Sequence, residues 1–277
     1  MIKKMTLEDL QTLLGWAAEE GWNPGLDDAE AFLAADPEGF LIALKDKEPA
    51  AGISVIKQDN AHGFLGLYIC KPMFRGQGVG WATWQAGMHY LDGMTIGLDG
   101  VVEQQDNYRK SGFELAYRNI RYAGVPSGLS TIRTGHRSVR AEDLDPIAAL
   151  DLQVHGVDRR QFLRAWLTDT EHRHSIVSVQ GDQITGLGTI RACQQGYKIG
   201  PLIAQTASAA KVMLSCLIAR CGAEELILDV PEPNEAALEL AKSLGLKPVF
   251  ETARMYRGTP PDYDLRRLFG VTTFELG

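Results

Sequence analysis

FRGQGVGWATW, residues Phe74–Trp84, sets glycines at 76, 78 and 80 directly in front of a run patterned as a helix. Without a Cβ, such a chain can curl tightly and let a ligand approach its backbone. Two familiar phosphate-cradling patterns fail on counting. A P-loop, GxxxxGK[ST], started at Gly76 meets Trp81 at its second glycine, and no lysine follows. A dinucleotide fingerprint, GxGxxG, needs glycine at that same Trp81 and belongs after a domain's first strand. Here the turn follows two helical and three strand-like segments.

Composition narrows the partners. The chain has 277 residues, enough for one large core or two of about 130 to 140 residues each. Its net charge of −7 and pI near 5.4 come without a basic run, which argues against a nucleic-acid partner. No apolar stretch reaches the roughly 18 to 20 residues that span a bilayer, and MIKKMTLEDL has no apolar signal core. Cys70, Cys193, Cys216 and Cys221 form no CxxC pair and read as buried thiols of a reducing cytoplasm.

The chain states one pattern twice. YRKSGFELAYRNIRYAG (108–124) and AKSLGLKPVFETARMYRG (241–258) both run from a helix end through Lys-Ser and a glycine into a strand ending Tyr-x-Gly. In each, the glycine suits a helix C-cap. Upstream lie two strands ending in Leu-Asp, TIGLD (95–99) and LILD (226–229), and before each a strand runs into a helix. Each copy opens on an acidic helix start, with Thr6, Glu8 and Asp143 suited to caps and first turns. A duplication follows, with units at 1–130 and 131–277 joined within GVPSGLSTIRTG (124–135).

A third pattern, [Q/R]-x-x-G-x-[G/A], does match RGQGVG (75–80), and the chain resembles the GNAT superfamily of N-acetyltransferases. Element order agrees: helices near 6–20 and 27–35, a hairpin over 40–58, the strand GFLGLYIC, the glycine turn and its helix, TIGLD, then Tyr108-x-x-x-Gly-Phe113. The resemblance covers residues 1–125 and, more weakly, the second copy. It implies an α/β fold of two tandem acyltransferase domains, each a mixed sheet flanked by helices. The strands before the turn and after its helix should splay, with coenzyme A between them. Acetyl-CoA is the implied donor and a primary amine of a small molecule or peptide the acceptor; no metal is implied.

Physics and resemblance agree at the turn. A pyrophosphate needs converging N–H groups at a helix N-terminus. Arg75, Gly76, Gln77, Gly78, Val79 and Gly80 are the expected cradle, Arg75 its cationic rim. Val79, Thr83, Ala86 and Tyr90 are spaced to anchor the helix, and Trp81 and Trp84 either border the donor or pack in the core. By resemblance, a backbone N–H at Ile69 or Cys70 polarises the thioester carbonyl. Cys70 is otherwise a packed thiol rather than a nucleophile. Tyr108 aligns with the family's tyrosine beside the sulfur, and a phenol can donate to the departing thiolate. Its other reading is a packing tyrosine.

Two departures stand out. LGLYIC carries no carboxylate, so the base is water, Glu103, or an early-helix carboxylate such as Glu20 or Asp27. Val101 replaces the asparagine that the family places before the tyrosine. In the second copy the deficits reverse: Asn234 and Ala237 keep the Asn-x-x-Ala pattern, but Ala241 replaces the tyrosine and GPLIAQTASAA lacks the cradle. That copy is expected not to bind acetyl-CoA in the usual way. On the acceptor side, Glu20, Trp22 and Asn23 are the candidate contacts, in a turn set by Pro24-Gly25 that equally serves to start the next helix. Asp27, Asp28 and Glu30 suit a cationic amine or are solvated helix charge. His172 and His174 in EHRH are spaced for a metal on one strand face, with no third ligand in reach. The alternative to an enzyme is a non-catalytic coenzyme A sensor or scaffold.

Overall fold

The computed structural model describes residues 1–130 and 135–277; residues 131–134 of the expected join lie outside the described residues. The first segment forms β1 (Ile2–Lys4), α1 (Leu7–Glu19), α2 (Asp28–Ala35), β2 (Phe40–Lys45), β3 (Glu48–Lys57), β4 (His62–Cys70), α3 (Val79–Tyr90), β5 (Thr95–Val101), α4 (Gln105–Lys110) and β6 (Glu114–Gly124). The second forms β7 (His136–Ser138), α5 (Leu144–His155), α6 (Arg160–Trp166), β8 (Arg173–Gln180), β9 (Gln183–Ala192), β10 (Tyr197–Ile203), α7 (Ala207–Cys221), β11 (Leu226–Pro231), α8 (Glu235–Ser243) and β12 (Lys247–Arg257), then adds β13 (Leu268–Gly270). Local chemistry explains the boundaries. Thr6 and Asp9 close a capping box at α1, worth about 1 kcal/mol. Gly112 and Gly245 stop their helices at φ +87° and +80°, as the repeat requires.

All thirteen strands join one sheet in the order β1-β2-β3-β4-β5-β12-β6-β11-β10-β9-β8-β7, with β13 on β10. Read from either edge, the succession is equivalent. Each segment lends its last strand to the other: β12 pairs with β5, β6 with β11, and the two lent strands pair at the centre, Asn119 opposite Thr252. Asp99 and Asp229, the aspartates of the two Leu-Asp strand ends, each pair with an arginine on the lent strand, Arg254 and Arg121 respectively.

One face of the sheet carries α1, α2, α5 and α6 in a single core that crosses both segments, with Phe32 stacked on Trp166 at 6.1 Å. On the other face α3 covers the first segment, while α7 and α8 cover the second. The buried face of α3 is Thr83, Trp84, Gly87 and Met88, rather than the expected Val79, Thr83, Ala86 and Tyr90. Gly87 lies against Val55 and Ile53, so close approach selects that face. Cys193 is buried, while Cys70, Cys216 and Cys221 are only half-buried. Among the described residues no helix is long and apolar enough to cross a membrane.

Candidate active site

Strands β4 and β5 run parallel and paired only from His62–Leu65 against Thr95–Leu98. Beyond that they part. Leu67 takes φ +47° and the β3–β4 register shifts between Gly52 and Ser54, the mark of a β-bulge that bends β4 away. The expected splay is present, and a cleft of about 620 Å³ opens there. Tyr68, Ile69 and Cys70 form one wall, Asp99 to Val101 the other, with Trp84 and Tyr108 also in the lining. Lys71 N–H donates to Ala50 O at 3.0 Å. Ladder alternation therefore turns Cys70 N–H away from β3, toward the splay.

The glycine turn is bracketed by two cleft-lining residues, Arg75 and Trp81. Gly76 and Gly78 sit at φ +74° and +79°, a region costly for any residue with a Cβ. Gly78 is the N-cap of α3 and has no side chain to cap it; Gly80 N–H is turned to the Cys70 sulfur, and the other first-turn N–H groups are left to a ligand or water. Gly80 packs where a Cβ would stand 3.0 Å from the Tyr68 hydroxyl. Arg75 donates to Cys70 O at 2.9 Å and pairs with Glu20 at 3.0 Å. Gln77 Nε2 donates to Met73 O at 2.8 Å, and its Oε1 accepts from Lys45. Val79 begins the helix.

Tyr108 on α4 stacks on Trp84 with centroids 5.7 Å apart and lies against Gly100, where an added Cβ would come within 2.2 Å of its ring. Burial, reinforced by nearby Tyr68, pushes its phenol up to about 12, so the group is protonated at neutral pH. Without the asparagine that Val101 replaces, α4 has no side-chain N-cap; at the equivalent place Asn234 accepts from Ala237 N–H and caps α8.

Of the acceptor-side candidates, Glu20 and Trp22 line the cleft; Asn23 does not, since its side chain bonds the backbone of Gln195 in the second segment. Asp27 is engaged by Thr170 Oγ1 and His172 N–H, and Glu103 lies outside the lining. Asp28 is neither solvated nor turned to the cleft: fully buried, it lies 3.9 Å from Arg173 and 3.3 Å from Arg191, both stacked on Trp166. Its charge sits between two arginines of the second segment.

Sequence reading missed the far wall of the cleft. Arg121 of β6 and Phe250 and Thr252 of β12 line it, as do Phe274 and Glu275 of the last seven residues, VTTFELG (271–277). This tail is buried throughout. It runs from β13 across the sheet face that carries α1 and α2, and Leu276 enters that core. Ser54 Oγ donates to Glu275 O at 3.2 Å and Gln58 Nε2 to Leu276 O at 2.8 Å. Two glycines at matching places, Gly66 in FLGLYI and Gly200 in KIGPLI, let it pass, and a comparison of those strands was the one signal available.

The second segment repeats the splay but fills it. Strands β10 and β11 pair from Tyr197–Ile199 against Leu226–Leu228; β13 then pairs with β10, and Val271 N–H donates to Asp229 O at 2.8 Å. The chain's own end occupies the space that is open in the first segment.

Fold and cleft together define a tandem acyltransferase architecture, and comparison with known proteins agrees. A profile of the acetyltransferase (GNAT) family matches residues 7–113, and an acetyltransferase (GNAT) domain profile matches residues 147–270. The holothin acyltransferase of Pseudoalteromonas sp. (strain SANK 73390) is 30% identical over 276 residues, covering 99% of this chain and 94% of that one. A presumed acetyltransferase from Pyrococcus horikoshii superposes with a TM-score of 0.84 at 22% identity, covering 100% and 95% of the two chains. A tandem GNAT protein from the clavulanic acid biosynthesis pathway gives 0.63 at 12% identity over 94% and 99%. This chain belongs to the GNAT family, with one GNAT domain in each half.

Proposed function

We propose that the protein transfers an acetyl group from acetyl-CoA to a primary amine of a small molecule or peptide, by direct attack of the amine on the thioester. Because a fold alone does not define an activity, the reading rests on one observation: a splayed strand pair ends at an uncapped helix N-terminus, and the Tyr108 ring lines the cleft between those strands. Amides from Gly76 to Gly80 hold the diphosphate, with Arg75 as rim. Cys70 N–H polarises the carbonyl, and Tyr108 gives the departing sulfur its proton. Residues 1–130 provide this donor site. Residues 131–277, with no cradle and a filled splay, hold no second one.

Glu20 and Trp22 border the acceptor's approach, and Phe250 and Phe274 give it an apolar, aromatic wall. Kinship with an enzyme named for acylating holothin supports a small molecule as acceptor. Calorimetry with acetyl-CoA, followed by free-thiol release against a panel of primary amines, tests the reading. Saturable heat and amine-dependent release are expected. No heat overturns the donor assignment, and heat without release across the panel makes the protein a coenzyme A sensor.

A further inference from the structure

We infer that Glu275, carried into the first segment's cleft by the second segment's tail, is the general base that deprotonates the acceptor amine; this rests on the acetyl-CoA reading above. The cleft lining holds two other carboxylates, and each is committed. Asp99 is locked in a two-pronged pair with Arg254 and also accepts from Asn119. Glu20 pairs with Arg75 at the mouth. Glu275 alone is both inside and available. One of its oxygens, Oε2, accepts from Thr273 Oγ1, and the residue lines the cleft without an ion pair among the described residues. The residue is only 4% exposed.

Position supports the assignment. Tyr108 packs with the core on the α3 face of the sheet, whereas the tail lies with the core on the opposite face. Acid and base thus reach the splay from its two sides, as attack and departure at one carbonyl carbon require. The tail is held on both sides of Glu275, by Thr272 and Gly277 on Arg159 and by Leu276 on Gln58, so the carboxylate is fixed without a helix or strand beneath it. The charged groups that face it are Arg121 of β6, already paired with Asp229 of β11, and Lys198 of β10.

In the step, a proton of the acceptor's ammonium passes to Glu275, the freed nitrogen lone pair forms the C–N bond, and the nitrogen gives up its second proton to water as the tetrahedral intermediate collapses. The C–S bond breaks, its electrons remain on sulfur, and Tyr108 protonates that sulfur. Glu275 then releases its proton to water, and Tyr108 regains one from water. The products are the amide, the free thiol and one proton. On this account the second segment, which lacks a donor site, supplies half of the acid–base pair.

The test uses the full chain with Glu275→Gln, Glu275→Asp and Glu275→Ala, and the primary amine that the wild type turns over fastest. Glu275→Gln should lower kcat by about 100-fold and leave the heat of acetyl-CoA binding and the unfolding temperature unchanged. Its rate should climb with pH toward the amine's own pKa, where the wild type has already levelled off. Formate should restore part of the lost turnover to Glu275→Ala. If Glu275→Gln fails to fold, Glu275→Asp, which keeps the charge but retracts it, should still lose turnover and keep acetyl-CoA binding. Wild-type turnover and an unaltered pH profile in the folded variant would overturn the base alone. Loss of acetyl-CoA heat in the wild type would overturn the reading beneath it.

Discussion

Arg121 and Asp229 sit opposite one another on strands from different segments, Nε to Oδ1 at 2.6 Å and Nη2 to Oδ2 at 2.8 Å, with both side chains almost wholly buried. Arg254 and Asp99 repeat the geometry across the sheet's centre, at 2.8 and 2.6 Å. The strand exchange therefore carries two reciprocal clamps. Taking one partner away leaves the other charge buried without compensation.

Asp229→Asn or Arg121→Met should accordingly cost about 3 to 5 kcal/mol. The apolar pair Arg121→Met with Asp229→Leu should cost much less than the sum, because it removes both desolvation penalties together. Denaturant unfolding of the four proteins closes the cycle. Additive losses would mean that the two residues do not act on each other.

The same clamp makes the fold acid-sensitive. Burial works to raise the Asp229 carboxyl, but Arg121 against it prevails and holds it below the ordinary carboxylate value; Asp151, buried beside Arg159 and His155, is likewise held down. A depressed pKa contributes stability that is fully present above the unfolded value and lost as pH falls through the folded one. In unfolding midpoints, the carboxylate contribution should hold down to about pH 5 and be lost below about pH 4, while His155, whose burial lowers its pKa, adds a shallower loss that starts below about pH 6.5. Asp229→Asn should flatten the drop below about pH 4.

Tyr108→Phe should lower kcat by about 100-fold while leaving acetyl-CoA affinity nearly unchanged, because the ring's stacking on Trp84 survives and only the hydroxyl is lost. With the phenol pushed up to about 12, it stays protonated across the working range. The ratio of wild-type to variant rates should be flat from about pH 6 to 10. A ratio that collapses within that span would remove the phenol as proton donor.

How much of this was legible depended on how local each cause was. The glycine turn and the helix stops at Gly112 and Gly245 are set by backbone sterics within a few residues, and both could be read; Tyr108 came only with the resemblance. Strand exchange could not: TIGLD and LILD are apolar strands that satisfy either neighbour equally well. Asn23 and Asp28 take their partners from Gln195, Arg173 and Arg191, far along the chain. The α3 face was misjudged because Gly87, which counts as no hydrophobe, is what lets the helix close on Val55. Glu275 sits in a tail with neither periodicity nor motif.

Gly78→Glu tests the cradle separately from the fold. A Cβ at Gly78 meets nothing within 4 Å, so the fold bears only the left-handed backbone cost of about 1 to 2 kcal/mol. The new carboxylate would stand at the helix N-terminus, repel a diphosphate and satisfy the free N–H groups itself. Acetyl-CoA heat should vanish while the unfolding transition persists. Retained binding would place the diphosphate elsewhere.

Gly66→Ala should separate the tail from the donor site. A Cβ on Gly66 would lie 2.1 Å from Glu275 O, and backbone at that distance has to move. Gly66 is not held at positive φ, so the clash is with the tail and not with its own conformation. The least costly relief is for residues 271–277 to lift from the sheet, since β4 is pinned by Ser54 of β3 opposite Gly66 and by β5 up to the residue before it. Turnover should fall with Glu275 displaced, protease should trim the released end, and the glycine turn, carried on the far end of β4, should still take up acetyl-CoA. Gly200→Ala poses the same clash, 2.2 Å from Val271 O, but within the filled splay of the second segment. There the tail continues directly from β13 and Val271 is bonded to Asp229 of β11, so that variant should lose stability, by about 1 to 3 kcal/mol, before it loses catalysis. Turnover that survives Gly66→Ala with the tail shown to be free would mean that the second segment's end is packing alone.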